Sequence, residues 1–282
     1  MRDISVYSII NMSERGPDAF QSFYAGIYPD RWNAIQDAIL HRPHHGVALG
    51  SPAEKPYYLD PASKVAALAA GPSGNQIILD MCAAPGGKTL VLASSLDTSG
   101  RITANERSAA RRSRLHRVLD EHVTRTLRQQ INVTSHDARR WSLHEKNAYD
   151  MILADVPCSS EAHLLAGKGD INTWSPRRSS RIAHDQYAIL RAAIQAIRPG
   201  GRIVYSTCAL SPAENEAVVL KALKKGEAQA RLELLQPAAT ALESAKQYSI
   251  TLEPREAGCY ILPDASHGTG PIYFCVLQKL ST

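Results

Sequence analysis

Leu79-Asp80-Met81-Cys82-Ala83-Ala84-Pro85-Gly86-Gly87-Lys88-Thr89 reads as the end of a strand, a glycine-rich turn and the start of a helix. Gly-Lys-Thr invites a phosphate-cradling loop, but the pattern G-x-x-x-x-G-K-[ST] needs glycine where Cys82 stands. That reading fails at its first position. With a strand before the turn and Glu106 closing the next strand, the segment suits an adenosyl group instead. Backbone amides would meet its charged end and the Glu106 carboxylate its ribose hydroxyls. A glycine turn taken alone is equally what tight packing asks for.

Outward from this turn the chain has a βα rhythm. Short apolar runs at 76–80, 101–106, 132–137, 149–155 and 201–206 alternate with helical segments, which predicts a doubly wound parallel α/β sheet. In such sheets the site lies at the carboxyl ends of the strands, and four of the runs reach an acid there: Asp80, Glu106, Asp137 and Asp155. Pro199-Gly200-Gly201 is expected to stop a helix whose apolar positions run from Ile189 to Ile197. Ser211-Pro212-Ala213-Glu214 is expected to form a capping box opening the next one. Residues 271–277 read as a last strand, returning antiparallel. Residues 1–51 are expected to form an N-terminal helical arm, with Phe20, Tyr24, Trp32, Ile35 and Ile39 on one face, and 52–282 the main domain.

Composition narrows the class. A chain of 282 residues with 44% hydrophobic and 21% charged residues can bury a core without staples, and no window approaches the roughly 18 apolar residues of a membrane span. The first residues lack the features of a secretory or transit signal, so a cytoplasmic location is expected. Five cysteines form no C-x-x-C pair and fit neither a disulfide framework nor a zinc ribbon, so reduced thiols and no metal are expected. Residues 101–140 hold ten arginines against Glu106, Asp120, Glu121 and Asp137, a stripe suited either to phosphate contact or to a solvated helix face.

Two later loops carry chemistry. Asp155-Val156-Pro157-Cys158-Ser159-Ser160 follows the fourth run and Tyr205-Ser206-Thr207-Cys208-Ala209-Leu210-Ser211 the fifth, so two thiols and an acid sit at strand ends on the expected active edge. A lone cysteine is more often a small hydrophobe than a nucleophile, and Cys259 and Cys275, in or near apolar segments, read as core.

In order and spacing, Leu79 to Thr89, Asp155-Val156-Pro157-Cys158 and Ser206-Thr207-Cys208 resemble the signature of the Sun (Fmu) family of RNA cytosine carbon-5 methyltransferases, most similar to its minimal ribosomal-RNA type known from mitochondria. The likeness extends from Tyr28-Pro29-Asp30-Arg31-Trp32 to Gly270-Pro271-Ile272-Tyr273-Phe274. It implies a seven-stranded, mostly parallel Rossmann-like methyltransferase sheet with an N-terminal helical extension, and S-adenosylmethionine as cofactor. It also implies ribosomal RNA as substrate, with transfer RNA as the alternative, and a monomer that relies on a helper protein or folded RNA for targeting.

Within the resemblance, Cys208 is the thiol that adds to cytosine carbon 6, Cys158 the one that assists release, and Asp155 the acid at ring nitrogen 3, with Lys88 supporting it. Cys82, Ala83, Ala84, Pro85 and Gly86 match the loop against the methionine portion, Glu106 the ribose acid, Arg111 the base one helical turn later and Asp137 the acid beside adenine. DNA enzymes of the same chemistry attack with the Pro-Cys thiol and do not need Thr-Cys, so Cys208 favours RNA. A silent RNA-binding assembly factor is the alternative from another class; loss of Cys208 or Asp155 would have favoured it, and both are present. The chain departs from the usual pattern at Ser160, where glycine is common, at Ala209, where serine is common, and at Asn105-Glu106, where aspartate is more usual.

Overall fold

The computed structural model describes residues 15–41, 46–49, 55–226 and 231–281. Two helices come first, α1 (Pro17–Ile27) and α2 (Trp32–His41), then a hairpin of β1 (Val47–Leu49) and β2 (Tyr57–Leu59). The helix α3 (Pro61–Leu68) leads into β3 (Ile77–Asp80), α4 (Gly87–Ala93), β4 (Arg101–Asn105), α5 (Ala109–His122), α6 (Arg125–Arg128) and β5 (Ile131–Thr134). There follow β6 (Tyr149–Asp155), α7 (Glu161–Leu165), α8 (Pro176–Ala196), β7 (Ile197–Thr207), α9 (Glu216–Gly226), β8 (Leu232–Leu235), α10 (Ala239–Gln247), β9 (Glu253–Pro254), β10 (Cys259–Ile261) and β11 (Ile272–Lys279).

The main sheet runs β5-β4-β3-β6-β7-β11-β10-β9, with β8 beside β11. Its first five strands are parallel, and β11 returns antiparallel to β7 as the apolar run at 271–277 implies. The expected α/β class is borne out, and among the described residues the sheet has nine strands where seven were expected. Those the sequence left unread are short, β8, β9 and β10 having two to four residues. The chain winds outward from β3 to β5 and then crosses back to β6 on the other side of β3. The carboxyl ends of β3 and β6 therefore flank the crevice that such a reversal opens.

Alternation along the strands builds two cores, one on each face. Ile152, Ala154, Ile203, Tyr205, Tyr273 and Cys275 point to one face, against α8 and α9; Met151, Leu153, Val204, Phe274 and Val276 point to the other, against α3, α4, α5 and α10. The first core also takes in Phe20, Tyr24, Trp32, Ile35 and Ile39. So α1 and α2 lie on the sheet with their apolar stripe covered. Tyr24 stacks on Trp32 at 5.1 Å between ring centroids, and Phe20 meets Trp174 edge-on at the same distance. The expected division at 51/52 lies outside the described residues.

Two local readings are corrected. Helix α8 ends at Ala196, and Pro199-Gly200-Gly201 falls inside β7, where Ile197 pairs with Tyr149 and Arg202 with Met151, so the Pro-Gly-Gly residues form a bulge. Ser211 makes no cap hydrogen bond, residues 212–214 form a single 3-10 turn, and α9 starts at Glu216. Glu214 is instead drawn inward, where its Oε2 accepts from Ser159 N at 2.9 Å and Gln186 Nε2 at 3.1 Å. Among the described residues no helix is long and apolar enough to cross a membrane.

One guanidinium fastens the N-terminal helices to the C-terminal strands. Arg31 binds Asp264 through Nε at 2.7 Å and Nη2 at 2.9 Å, and Glu253 through Nη1 at 2.9 Å and Nη2 at 2.8 Å. Replacing it leaves the mostly buried Asp264 without its cation and Glu253 with only the more distant Arg255, 3.7 Å away. We predict that Arg31→Ala lowers stability by about 2 kcal/mol, between the values for exposed and buried pairs, as measured by urea unfolding. A loss within experimental error would make the pair a surface ornament.

Candidate active site

The turn that opens the sequence reading sits between β3 and α4. Gly86 has φ +122, and a Cβ there would come within 2.9 Å of Val118 Cγ1 and 3.1 Å of Leu115 Cδ1. Glycine is thus required both by the backbone and by the approach of α5. Asp80, 1% exposed, accepts from Thr89 Oγ1 at 2.7 Å, and burial pushes its carboxyl up to about 7.

A crevice of about 340 Å³ opens beside this turn. Cys82, Glu106, Arg111, Asp137 and Cys158 line it, along with apolar walls from Met81, Ala138, Ile182 and Ile189. Glu106 follows β4; its Oε1 accepts from Ser108 N at 2.8 Å and its Oε2 lies 3.3 Å from Arg111 Nη1. Arg111 also donates to Ala84 O at 2.7 Å, joining the Glu106 carboxylate to the glycine turn. Asp137 lies beyond the end of β5, which stops at Thr134, and caps a 3-10 turn. Arg139 and Arg107 pair with it at 2.7 and 3.3 Å, and the Arg139 hydrogen bond holds its carboxyl below the usual aspartate range. Ala83, Ala84, Pro85 and Gly86 form the turn behind the crevice and, like Lys88, Asp155 and Cys208, are not among its lining residues.

The second group gathers at the neighbouring ends of β6 and β7. The parallel register places Asp155 beside Ser206, and Ser206 Oγ donates to Asp155 Oδ1 at 2.7 Å. Lys88 Nζ meets the other oxygen, Oδ2, at 2.8 Å. Burial works against the Lys88 charge, but the Asp155 carboxylate outweighs it and holds the ammonium above the ordinary lysine value. Beyond these strand ends the two thiols converge, Cys158 Sγ and Cys208 Sγ lying 3.0 Å apart. With Cys208 as the thiolate, the Cys158 thiol is the donor between them. That hydrogen bond holds the Cys208 thiol below its ordinary value and pushes Cys158 well above its own. Burial pushes Cys82 well up, in keeping with packing, and pushes Cys259 up to about 12.

Both loops rest on buried carboxylates that sequence reasoning missed. Glu161, fully buried, accepts from Tyr24 Oη, Ser159 Oγ and Leu210 N, the last at 3.0 Å. Tyr28 Oη donates to Leu210 O at 2.8 Å. The helical arm therefore touches the loop that carries Cys208. On its other side Asn215 receives the Thr207 hydroxyl and donates to Ala209 O at 2.8 Å. Asn105 was also missed as a functional residue: its Nδ2 donates to Met81 O and His136 O, and its Oδ1 accepts from His136 N at 2.8 Å, clamping the loops after β3 and β5 to the end of β4. The one sequence signal for such a role is a polar residue at the end of a buried strand.

With this geometry in place, comparison with known proteins is decisive. A family model described as 16S rRNA methyltransferase RsmB/F matches residues 67–273. The chain belongs to the RsmB/F family. The Sun-type resemblance of its motifs is thereby borne out. Relatives include the 5-cytosine rRNA methyltransferase NSUN4 of Xenopus tropicalis, 35% identical over 247 residues covering 79% of this chain and 56% of that protein. Ribosomal RNA small subunit methyltransferase F of Escherichia coli is 38% identical over 178 residues, 61% of this chain and 36% of that one. The crystal structure of NSun6 from Pyrococcus horikoshii with SFG is similar at a TM-score of 0.64 and 26% identity, covering 80% of this chain and 54% of that one. The chain spans 56–62% of the length of the NSUN4 relatives it matches.

Burial, and next the nearby Glu161, raise Glu214 from 4.5 to about 7. A carboxyl whose folded value exceeds its unfolded one stabilises the fold fully below about 4.5, and that contribution is lost as pH rises through about 7. Asp80, also raised to about 7, adds a slope of the same sign; we predict that the urea midpoint falls between about pH 5 and about pH 8, and that Glu214→Gln, neutral throughout, removes the Glu214 share and leaves that of Asp80. A pH-independent difference between the two proteins would contradict the assignment.

Proposed function

We propose that this chain methylates carbon 5 of a cytosine in RNA, ribosomal RNA before transfer RNA, with S-adenosylmethionine as cofactor. The observation that carries this reading is the pair of thiols from adjacent parallel strands, 3.0 Å apart, beside the Asp155–Lys88 ion pair. RsmB/F membership and the names of the relatives support ribosomal RNA as the substrate.

The crevice suits the cofactor. Glu106 is 5% exposed and keeps lone pairs free on both oxygens, the acceptor set that two ribose hydroxyls need. Met81, Ala138, Ile182 and Ile189 offer an apolar slot for adenine, whose amino group would share Asp137 with Arg139. Cys82 and the turn to Gly86 would lie along the methionine portion, with Arg111 holding the turn. When bound, the cofactor supplies an electrophilic methyl group.

The residues then divide the work. Carbon 5 of cytosine is a poor nucleophile, and addition of the Cys208 thiolate to carbon 6 turns the ring into an enamine. Charge developing on the ring during addition is offset at nitrogen 3 by a proton that passes from the Lys88 ammonium through Asp155, held in place by Ser206, and returns by the same route on release. After methylation Cys158, having lost its own proton to water, takes the proton from carbon 5, and the bond from Cys208 to carbon 6 breaks as the double bond re-forms.

Two measurements test this reading. Calorimetry with the demethylated cofactor is expected to show micromolar binding, about 8 kcal/mol, weakened at least about tenfold in Glu106→Ala; no heat at high protein concentration would remove the cofactor from the picture. Cys208→Ala is expected to abolish methylation and leave no covalent species. Cys158→Ala is expected to methylate once and stay joined to its RNA in denaturing gels. The reverse pattern would assign attack to Cys158, and two silent substitutions in folded protein would favour an assembly factor.

A further inference from the structure

Ser160 stands at the first position beyond the Pro-Cys loop with φ 54 and ψ 56, a left-handed backbone conformation that disfavours side chains by about 1 kcal/mol. Its hydroxyl lies 3.4 Å from Cys158 Sγ, 3.4 Å from Cys208 Sγ and 3.4 Å from Cys158 O. It has one proton to give. We infer that Ser160 is a positioning residue whose single hydroxyl proton is donated first to the Cys208 sulfur and afterwards to the Cys158 sulfur. This rests on the division of labour between the thiols proposed above.

Before the attack, the charged sulfur is that of Cys208, and two donors converge on it, the Cys158 thiol and the Ser160 hydroxyl. Once Cys208 is bonded to carbon 6 it is a neutral thioether and a weak acceptor. Release then needs Cys158, which lines the open crevice, to give its proton to water and take the one on carbon 5, so the negative charge moves to the second sulfur. Rotation about one side-chain bond re-aims the same hydroxyl at it, with no backbone movement.

Other charges face the pair from every neighbouring element. Lys88 on α4 favours a thiolate at Cys208, while Asp155 at the end of β6 and Glu161 on α7 oppose one. The hydroxyl is the one donor within reach of both sulfurs among the described residues.

The test separates hydroxyl from backbone. Ser160→Gly removes the hydroxyl and relieves the left-handed strain; Ser160→Ala removes the hydroxyl and keeps the strain. Iodoacetamide labelling of Cys208, followed by peptide mass against pH without RNA or cofactor, is expected to shift to higher pH by about half a unit in both variants, the worth of one hydrogen bond. The covalent RNA adduct is expected to outlast that of the unaltered enzyme in both, and to decay sooner than in Cys158→Ala. An unshifted labelling profile, a shift in Ser160→Ala alone, or an unchanged adduct lifetime would each overturn the proposal. Absence of any trapped adduct in Cys158→Ala would instead strike at the proposed function, a failure the labelling profile distinguishes.

Discussion

A fully buried carboxylate, that of Glu161, is the point on which the site's geometry depends. A charge out of water is tolerated only where protein donors replace the water, and here the donors come from three separate parts of the chain: Tyr24 in α1, Ser159 in the Pro-Cys loop and Leu210 in the Thr-Cys loop. Each donor fixes the segment that carries it. The two thiols are consequently held at contact distance by a group that touches neither sulfur by hydrogen bond. Glu214 repeats the device one layer away, accepting from the Ser159 amide and from Gln186, which in turn donates to Pro157 O.

The sheet supplies the coarse alignment that these carboxylates refine. Neighbouring parallel strands run about 4.8 Å apart, and β6 and β7 stay in register to the pair Asp155–Ser206. Cys158 lies three residues beyond that pair and Cys208 two, so loops leaving adjacent strands in the same direction bring both thiols to one place. The same strand end gives Asp155 one neighbour on each side, Ser206 from β7 and Lys88 from α4. Position in the sheet thus determines which residues meet, and buried polar contacts determine how closely.

What the amino-acid order discloses follows from the same division. The five parallel strands and β11 are legible because burial on both faces demands continuous apolar runs, and Ile77 to Asp80 or Met151 to Asp155 can hardly be anything else. The residues of both candidate site groups were legible because motif spacing preserves them. The hairpin of β1 and β2 and the strand β8 show partial or no burial, and so carry no pattern to detect. Glu161 and Tyr24 are 137 residues apart, and no local rule connects them. At Glu214 the local rule misleads: serine, proline and glutamate at capping spacing describe a helix start, but long-range donors claim the carboxylate first.

Charge shows a similar divergence between pattern and use. Of the ten arginines between 101 and 140, six are committed within the fold. Arg101 and Arg112 bind backbone carbonyls, Arg107 and Arg139 hold Asp137, Arg111 holds Glu106 and Arg128 holds Asp120. Arg139 also reaches Asp185 on α8 at 3.0 Å, spanning the mouth of the crevice. Four arginines, Arg114, Arg117, Arg125 and Arg140, are exposed, and among the described residues their guanidinium groups make neither a hydrogen bond nor an ion pair. A guanidinium already bound to a carboxylate has spent most of its attraction for other anions, so these four keep the most. The arginine run therefore serves two ends, with its inward members shaping the crevice walls and its outward members leaving a cationic face beside them.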